Sequence, residues 1–249
     1  MNDLLLIAGA GLLAGAMNGI AGGGSFVTLP ALIAVGVPSV NANATSTVAL
    51  VPSALASAYA YRKDFAGFPQ VPFTMMTAVS VFGGACGALL LAITPQHVFD
   101  FIVPWLLLFG VVAFAFGRQA GEWLRERVHV GPRALLAAQF CLGVYGGYFG
   151  GAVGIMMMAA WSLMTTKSLA AMQPARNLLN AAMNATASLL FILGGLVWWR
   201  PMLAMLVGAV VGGYLAAHYA RRVDPAKARV AISLFNACIT AAIFWKTYG

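Results

Sequence analysis

Two glycine-rich stretches have the composition to hold a ligand through bare backbone. The first runs Gly15-Ala16-Met17-Asn18-Gly19-Ile20-Ala21-Gly22-Gly23-Gly24-Ser25, the second Gly146-Gly147-Tyr148-Phe149-Gly150-Gly151-Ala152-Val153-Gly154. Glycine leaves the backbone uncovered and takes left-handed conformations freely, so such a stretch can end one helix and open the next. A helix that opens in apolar surroundings presents unpaired N–H groups and the positive end of its macrodipole, and an anion suits both. Ser25 is expected to cap the first of these helices. Polar side chains follow each stretch: Asn41, Asn43, Thr45, Ser46 and Thr47, then Ser53 and Ser57, after the first; Gln173, Arg176 and Asn177 after the second. Asn177, Asn180, Asn184 and Ser188 follow i, i+3, i+7 and i+11, one stripe of a helix. Arg176 has two readings, a topology anchor or an anion-attracting gate. The expected substrate-binding set is Asn18, Gly22, Gly23, Gly24, Ser25, Thr45, Ser46, Gly151, Gly154, Arg176, Asn177 and Asn180.

The two stretches are related. Gly11-x3-Gly15-x3-Gly19-x2-Gly22 recurs 132 residues later as Gly143-x3-Gly147-x3-Gly151-x2-Gly154, and Pro69 and Pro201 keep that offset. Small residues four apart let membrane helices approach closely, which is the expected role of Gly11, Gly15, Gly143 and Gly147. Three glycines in a row would ruin a packed helix. Gly22-Gly23-Gly24-Ser25 is therefore read as a functional loop, and paired loops of this kind point to a transporter binding site.

Other chemistries lack their residues. The six acids, Asp3, Asp64, Asp100, Glu122, Glu126 and Asp224, sit in loops or at segment ends. Carriers of cations and protons generally bury a carboxylate, so an anion is favoured. No GxSxG, HExxH or paired-aspartate site is present, and an enzyme is not expected. His97 and Asp100 stand one turn apart at a segment start, where solvation or capping explains them; His129 and His218 have no metal-ligand neighbour. Cys86, Cys141 and Cys238 lie within apolar runs as packing residues, and neither metal nor cofactor is expected.

The elements that position these residues must be membrane helices. Of 249 residues, 61% are hydrophobic and 8% charged, against roughly 25% charged in soluble domains. The net charge of +8 is read as basic loops against a bilayer rather than nucleic-acid binding. Met1-Asn2-Asp3 lacks a basic leader, so the first helix is expected to stay in the mature protein. Ten apolar segments are expected, five in each half. Two are short, Ser25–Val37 and Ile155–Thr166, and at about 1.5 Å per residue reach roughly 18–20 Å of a hydrocarbon core of about 30 Å. Such broken helices survive only where protein buries them or a wet cavity adjoins them. If the first two segments of each half run antiparallel, 12 of the 14 Lys/Arg fall on one side, leaving Arg200 and Lys246 opposite. A continuous crossing instead gives eight against six. The positive-inside rule favours the first arrangement, with both termini outside. Five segments per half then forces opposite orientations. The expected fold is an all-α polytopic membrane protein of two inverted repeats, with about eight full spans plus short half-helices. Residues 1–117 form the first repeat, 118–133 a charged cytoplasmic connector, and 134–249 the second.

Gly-x3-Gly-x3-Gly followed by Ala21-Gly22-Gly23-Gly24-Ser25-Phe26-Val27-Thr28-Leu29-Pro30, then Asn43-Ala44-Thr45-Ser46, resembles the sulfite exporter TauE/SafE family. The second copy, ending near Gly194-Gly195-Leu196-Val197-Trp198-Trp199, resembles it more weakly. The resemblance implies a permease of the bacterial inner membrane, of about eight spans, that moves a sulfur-containing anion such as sulfite, thiosulfate or an organosulfonate. A coupling ion (proton or sodium) and a homo-oligomer are both compatible with it. The second copy departs from the pattern: Ile155-Met156-Met157-Met158 replace further glycines, and Ser162 stands where the first copy has Pro30. The first loop is thus expected to be the richer half of the site. The alternatives are a non-transporting scaffold or assembly subunit, and a carrier of a non-sulfur organic anion.

Overall fold

The computed structural model describes residues 2–20, 23–60, 71–125, 131–162, 169–219 and 225–248. Gly22, Pro69 and six of the 14 Lys/Arg behind the orientation count (Arg62, Lys63, Arg127, Lys167, Arg221 and Arg222) lie outside these residues. Among the described residues the chain is all-helical, with ten helices and no strand: α1 (Asn2–Ile20), α2 (Ser25–Ala34), α3 (Ser39–Ala60), α4 (Phe73–Ile93), α5 (Gln96–Arg125), α6 (Pro132–Tyr148), α7 (Val153–Ser162), α8 (Leu169–Leu193), α9 (Trp199–Tyr219) and α10 (Pro225–Tyr248).

Both expected short helices are present. α2 and α7 have 10 residues each, about 15 Å of rise and half a hydrocarbon core. Among the described residues four helical stretches are long and apolar enough to cross a membrane: Phe73–Ile93, Gln96–Gly117, Trp199–Ala216 and Val230–Tyr248. By that criterion the chain is a multi-pass membrane protein, with fewer clear spans than the eight expected. α3 and α8, at 22 and 25 residues, have the length but carry the site's polar residues. Two boundaries differ from expectation. α5 continues to Arg125, through the first half of the connector. α8 begins at Leu169 and carries Pro174 inside it, so Arg176 lies within a helix rather than at its start.

The halves interlock. α1 packs along α9 and α6 along α4, so the first helix of each half lies on the fourth of the other, while α3 crosses α8. A Cβ on Gly11 or Gly15 would strike the carbonyls of Met205 or Ala209, and one on Gly147 the carbonyl of Gly84. The opposing helices supply their own glycines. Gly208 and Gly212 face the carbonyls of Ala8 and Leu12, and Gly83 and Gly87 those of Phe140 and Val144. Backbone thus touches backbone on both sides of each pair, the close approach that small residues permit in lipid.

The broken helices are tethered by buried polar side chains. Trp161 Nε1 donates to Gln139 Oε1 at 3.0 Å and Gln139 Nε2 to Ser80 Oγ at 2.9 Å, which binds α7 to α6 and α4. Thr28 and Ser46 share a 2.5 Å hydrogen bond between α2 and α3. Without water to bond them, such groups hold a place only when paired.

Candidate functional site

The two helix breaks use different devices. At the first, Gly23 takes φ +93° and Gly24 occupies the N-cap position of α2 with no side-chain hydrogen bond of its own. The cap comes from upstream, where Asn18 Oδ1 accepts from Gly24 N at 2.8 Å. Ser25, expected as the cap, is instead the first helical residue, because Asn18 on the preceding helix already reaches the orphan N–H. At the second break Gly150 takes φ +78° and Ala152 φ +58°. A left-handed alanine is strained, by about 1–2 kcal/mol. Ala152→Gly relieves that strain but loses a buried methyl and gains chain entropy, each worth about 0.5–1 kcal/mol. Its unfolding midpoint should stay near the wild type, whereas Ala152→Val should destabilise by about 2–3 kcal/mol, since a β-branched residue tolerates positive φ worst. Thermal melts in detergent read both.

The breaks meet at one cavity of about 70 Å³. A water needs roughly 10–15 Å³ on this measure, so a small ion with a few waters fits. The first break presents Gly23 and Ser25 beside Asn18 of α1, and the second presents Gly150 and Ala152 with Val153, Gly154 and Ile155 of α7. A side chain built on Gly150 would come within 3.9 Å of both Ser25 Oγ and Asn184 Oδ1, so the two breaks are neighbours in space. The remaining walls come from α3, with Thr47, Leu50, Ser53 and Ala54, and α8, with Arg176, Asn177, Asn180 and Asn184. Thr47, Leu50 and Ala54 have the same spacing as Asn177, Asn180 and Asn184, offset by 130 residues.

The electrostatics have one sign. Arg176 is half-buried, and its Nε and Nη2 donate to Asn177 Oδ1 at 3.1 and 2.8 Å. Its side chain lies over the first turn of α7: a Cβ on Gly154 would meet Arg176 Cδ at 3.1 Å. A guanidinium against a helix N-terminus adds its charge to the positive dipole end, and both attract an anion. Among the described residues no acid lines the cavity. Asn184 Nδ2 donates to Asn180 Oδ1 at 3.2 Å, leaving the Asn180 amide N–H groups as donors toward a ligand.

Of the expected binding residues, Asn18, Gly23, Ser25, Gly154, Arg176, Asn177 and Asn180 line this cavity. Gly22 lies outside the described residues. Gly24 is buried behind the wall with its N–H already bonded to Asn18, and Gly151 is packed against the Phe149 ring. Thr45 and Ser46 turn elsewhere. Thr45 Oγ1 accepts from Trp198 N at 3.0 Å, and Ser46 pairs with Thr28. Thr47, Ser53, Asn184 and Gly150 were not in the expected set. The signal for Asn184 was its place on the α8 stripe; Thr47 could not be told from its two polar neighbours by type. Among the described residues the second break supplies five of the wall residues and the first, with Asn18, three.

A profile of the sulfite exporter TauE/SafE family matches residues 7–243. The chain belongs to that family. Among similar chains is the probable membrane transporter protein YfcA of Escherichia coli strain K12, 32% identical over 239 residues, 96% of this chain and 88% of that one. A probable membrane transporter protein of Haemophilus influenzae is 30% identical over 209 residues, covering 83% and 81%. Probable membrane transporter protein ORF9 of a Sinorhizobium species is 29% identical over 214 residues, covering 85% and 80%. No solved structure matches the chain. The match to the TauE/SafE profile spans both breaks and all five cavity-lining helices, so the site belongs to the part of the chain that carries the family likeness.

Proposed function

We propose that this chain is a secondary transporter that moves a small anion by alternating access, with sulfite, thiosulfate or an organosulfonate as the substrate class. The family membership supports transport. The observation that carries the anion reading is the convergence of two helix N-termini and Arg176 on one cavity with no acid among the described residues of its wall. The backbone N–H groups of the two breaks would hold an oxyanion, with Arg176 supplying charge and Asn177 and Asn180 orienting it. The proposed architecture is a pair of inverted repeats. The crossed packing of α1 on α9 and α6 on α4 supports it, as does the shared spacing on α3 and α8. The charge count supports an inner-membrane orientation with both termini periplasmic. In that orientation the cavity is inward-facing, since its rim at Ser53, Ala54 and Arg176 is half-exposed while Ala44, Ala187 and Phe191 at the other end are buried. A coupling ion, proton or sodium, would find no carboxylate among the described residues of the cavity wall.

Leu50, Ala54, Val153 and Ile155 form an apolar side of the cavity. That wall favours a second reading, an anion bearing a small carbon group, whether organosulfonate or short carboxylate.

Gly23→Leu tests the proposal. A leucine at φ +93° strains the break by about 1–3 kcal/mol and covers its N–H groups. Sulfite flux into proteoliposomes should fall roughly tenfold or more while the protein still inserts. Undiminished flux would remove the first break from the site.

A further inference from the structure

Beyond the cavity, one more polar group on α8 has nothing to bond. Ser188 is 5% exposed and its Oγ has no hydrogen-bond partner. A buried hydroxyl without a partner is disfavoured by about as much as a lost hydrogen bond, and inside a bilayer no solvent replaces that partner. A serine or threonine in a helix ordinarily escapes this by bonding the carbonyl four residues back. Thr186, two residues earlier on α8, does so with Ala182 O at 2.9 Å, and Thr47 and Ser80 do the same on their own helices. Ser188 does not, so its hydroxyl is turned away from its own backbone. It stands one helical turn beyond Asn184 on the same face, and Asn184 lines the cavity. Polar groups thus continue past the cavity's closed end.

That end is closed by a plug. Ala187 and Phe191, on either side of Ser188, belong to one buried apolar cluster with Ala44, Tyr148 and Phe149. The plug is fastened where α6 ends: Asn43, 1% exposed, donates from Nδ2 to Tyr148 O at 2.8 Å. Tyr148 O is a helix-terminal carbonyl with no donor in its own helix, so the bond satisfies both partners and ties α3 to the second break.

We propose that Ser188 is the next hydrogen-bonding position on the anion's path out of the cavity, and that the Asn43–Tyr148 bond latches the plug across that path. In the conformation described the plug is shut, and the hydroxyl waits unpaired. When it opens, the Ser188 O–H donates to an oxygen of the passing oxyanion. The proposal rests on the transport reading above, and two arms keep the failures apart.

In the first arm the probe is radiolabelled sulfite, with flux measured in proteoliposomes and binding measured on purified protein. Ser188→Ala should lower flux about tenfold, the worth of one hydrogen bond, leave sulfite affinity within about twofold, and not lower the unfolding midpoint, since the hydroxyl removed had no partner. Wild-type flux in Ser188→Ala overturns the proposal, and so does an equal loss of affinity, which would put Ser188 in the cavity itself. The second arm needs no substrate. Ser188→Cys is made in a chain whose Cys86, Cys141 and Cys238 are replaced by alanine, and a membrane-impermeant maleimide is applied from the side of Arg200. The new thiol should stay unlabelled alone and become labelled when Asn43→Ala is added. A thiol that stays unlabelled with Asn43→Ala overturns the path, and one labelled without it overturns the latch. If the wild type moves no sulfite, the choice of sulfite falls, and the maleimide result still decides the path.

Discussion

Arg176→Gln is expected to lower anion flux by about two orders of magnitude while leaving the protein folded. At an effective dielectric of about 20, a charge pair 4 Å apart is worth about 4 kcal/mol. Glutamine keeps part of this through its amide donors, so roughly hundredfold remains as the loss. The fold should tolerate the change, because Arg176 is only half-buried and glutamine keeps an amide that can donate to Asn177 Oδ1. Arg176→Lys should fall between the two. It keeps the charge but loses the two-pronged donation to Asn177 Oδ1. Initial rates in proteoliposomes, beside melting curves of the same preparations, read the result. Wild-type rates in Arg176→Gln would make Arg176 the topology anchor that its place among basic loops first allowed.

The largest expected effect on stability lies far from the cavity. Gly15→Leu should yield no monodisperse folded protein, a destabilisation of about 3 kcal/mol or more. The atom that a Cβ there would strike is the backbone carbonyl of Ala209, which cannot swing aside like a side chain. α1 would have to lift from α9, opening the packing between the halves. Gly9→Leu is the control, since a Cβ at Gly9 meets nothing within 4 Å. It should fold as the wild type does. Size-exclusion profiles of the two variants separate them, and a well-folded Gly15→Leu would mean that the helices are not in backbone contact.

Much of the architecture was legible because membrane helices write themselves in apolar runs. The two short helices stood out by length, and Gly11, Gly15, Gly143 and Gly147 by their fourfold spacing. Their partners escaped notice. Gly83-x3-Gly87 and Gly208-x3-Gly212 repeat with an offset of 125, not 132, so they do not fall in register with the first repeat. Pro174 hid the true start of α8. A proline after polar residues reads as a boundary, yet a membrane helix tolerates it when neighbours satisfy the freed carbonyl.

In the site, residue type was a better guide than facing direction. Thr45, Ser46 and Thr47 are consecutive and polar, and a helix can turn only one of them to a given partner. The structure turns Thr47 to the cavity and gives Thr45 and Ser46 to Trp198 and Thr28. Nothing in the local sequence distinguishes the three, because the choice depends on where α9 and α2 sit. Asn18 carried a similar ambiguity. It lines the cavity but spends its carbonyl oxygen on the Gly24 N–H, a contact six residues away that no cap motif announces. By contrast, Asn177, Asn180 and Asn184 lie on one stripe of one helix, so periodicity alone brought them together.

The most direct test of an anion site is thermal unfolding of the purified protein in a panel of sulfite, thiosulfate, organosulfonates and carboxylates, run beside Arg176→Gln. A ligand at about one hundred times its dissociation constant stabilises the folded state by about 2.7 kcal/mol. The account predicts that an anion of this panel raises the wild-type midpoint by several degrees and leaves Arg176→Gln unmoved. A wild type that responds to none of them, or a variant that responds equally, would contradict it.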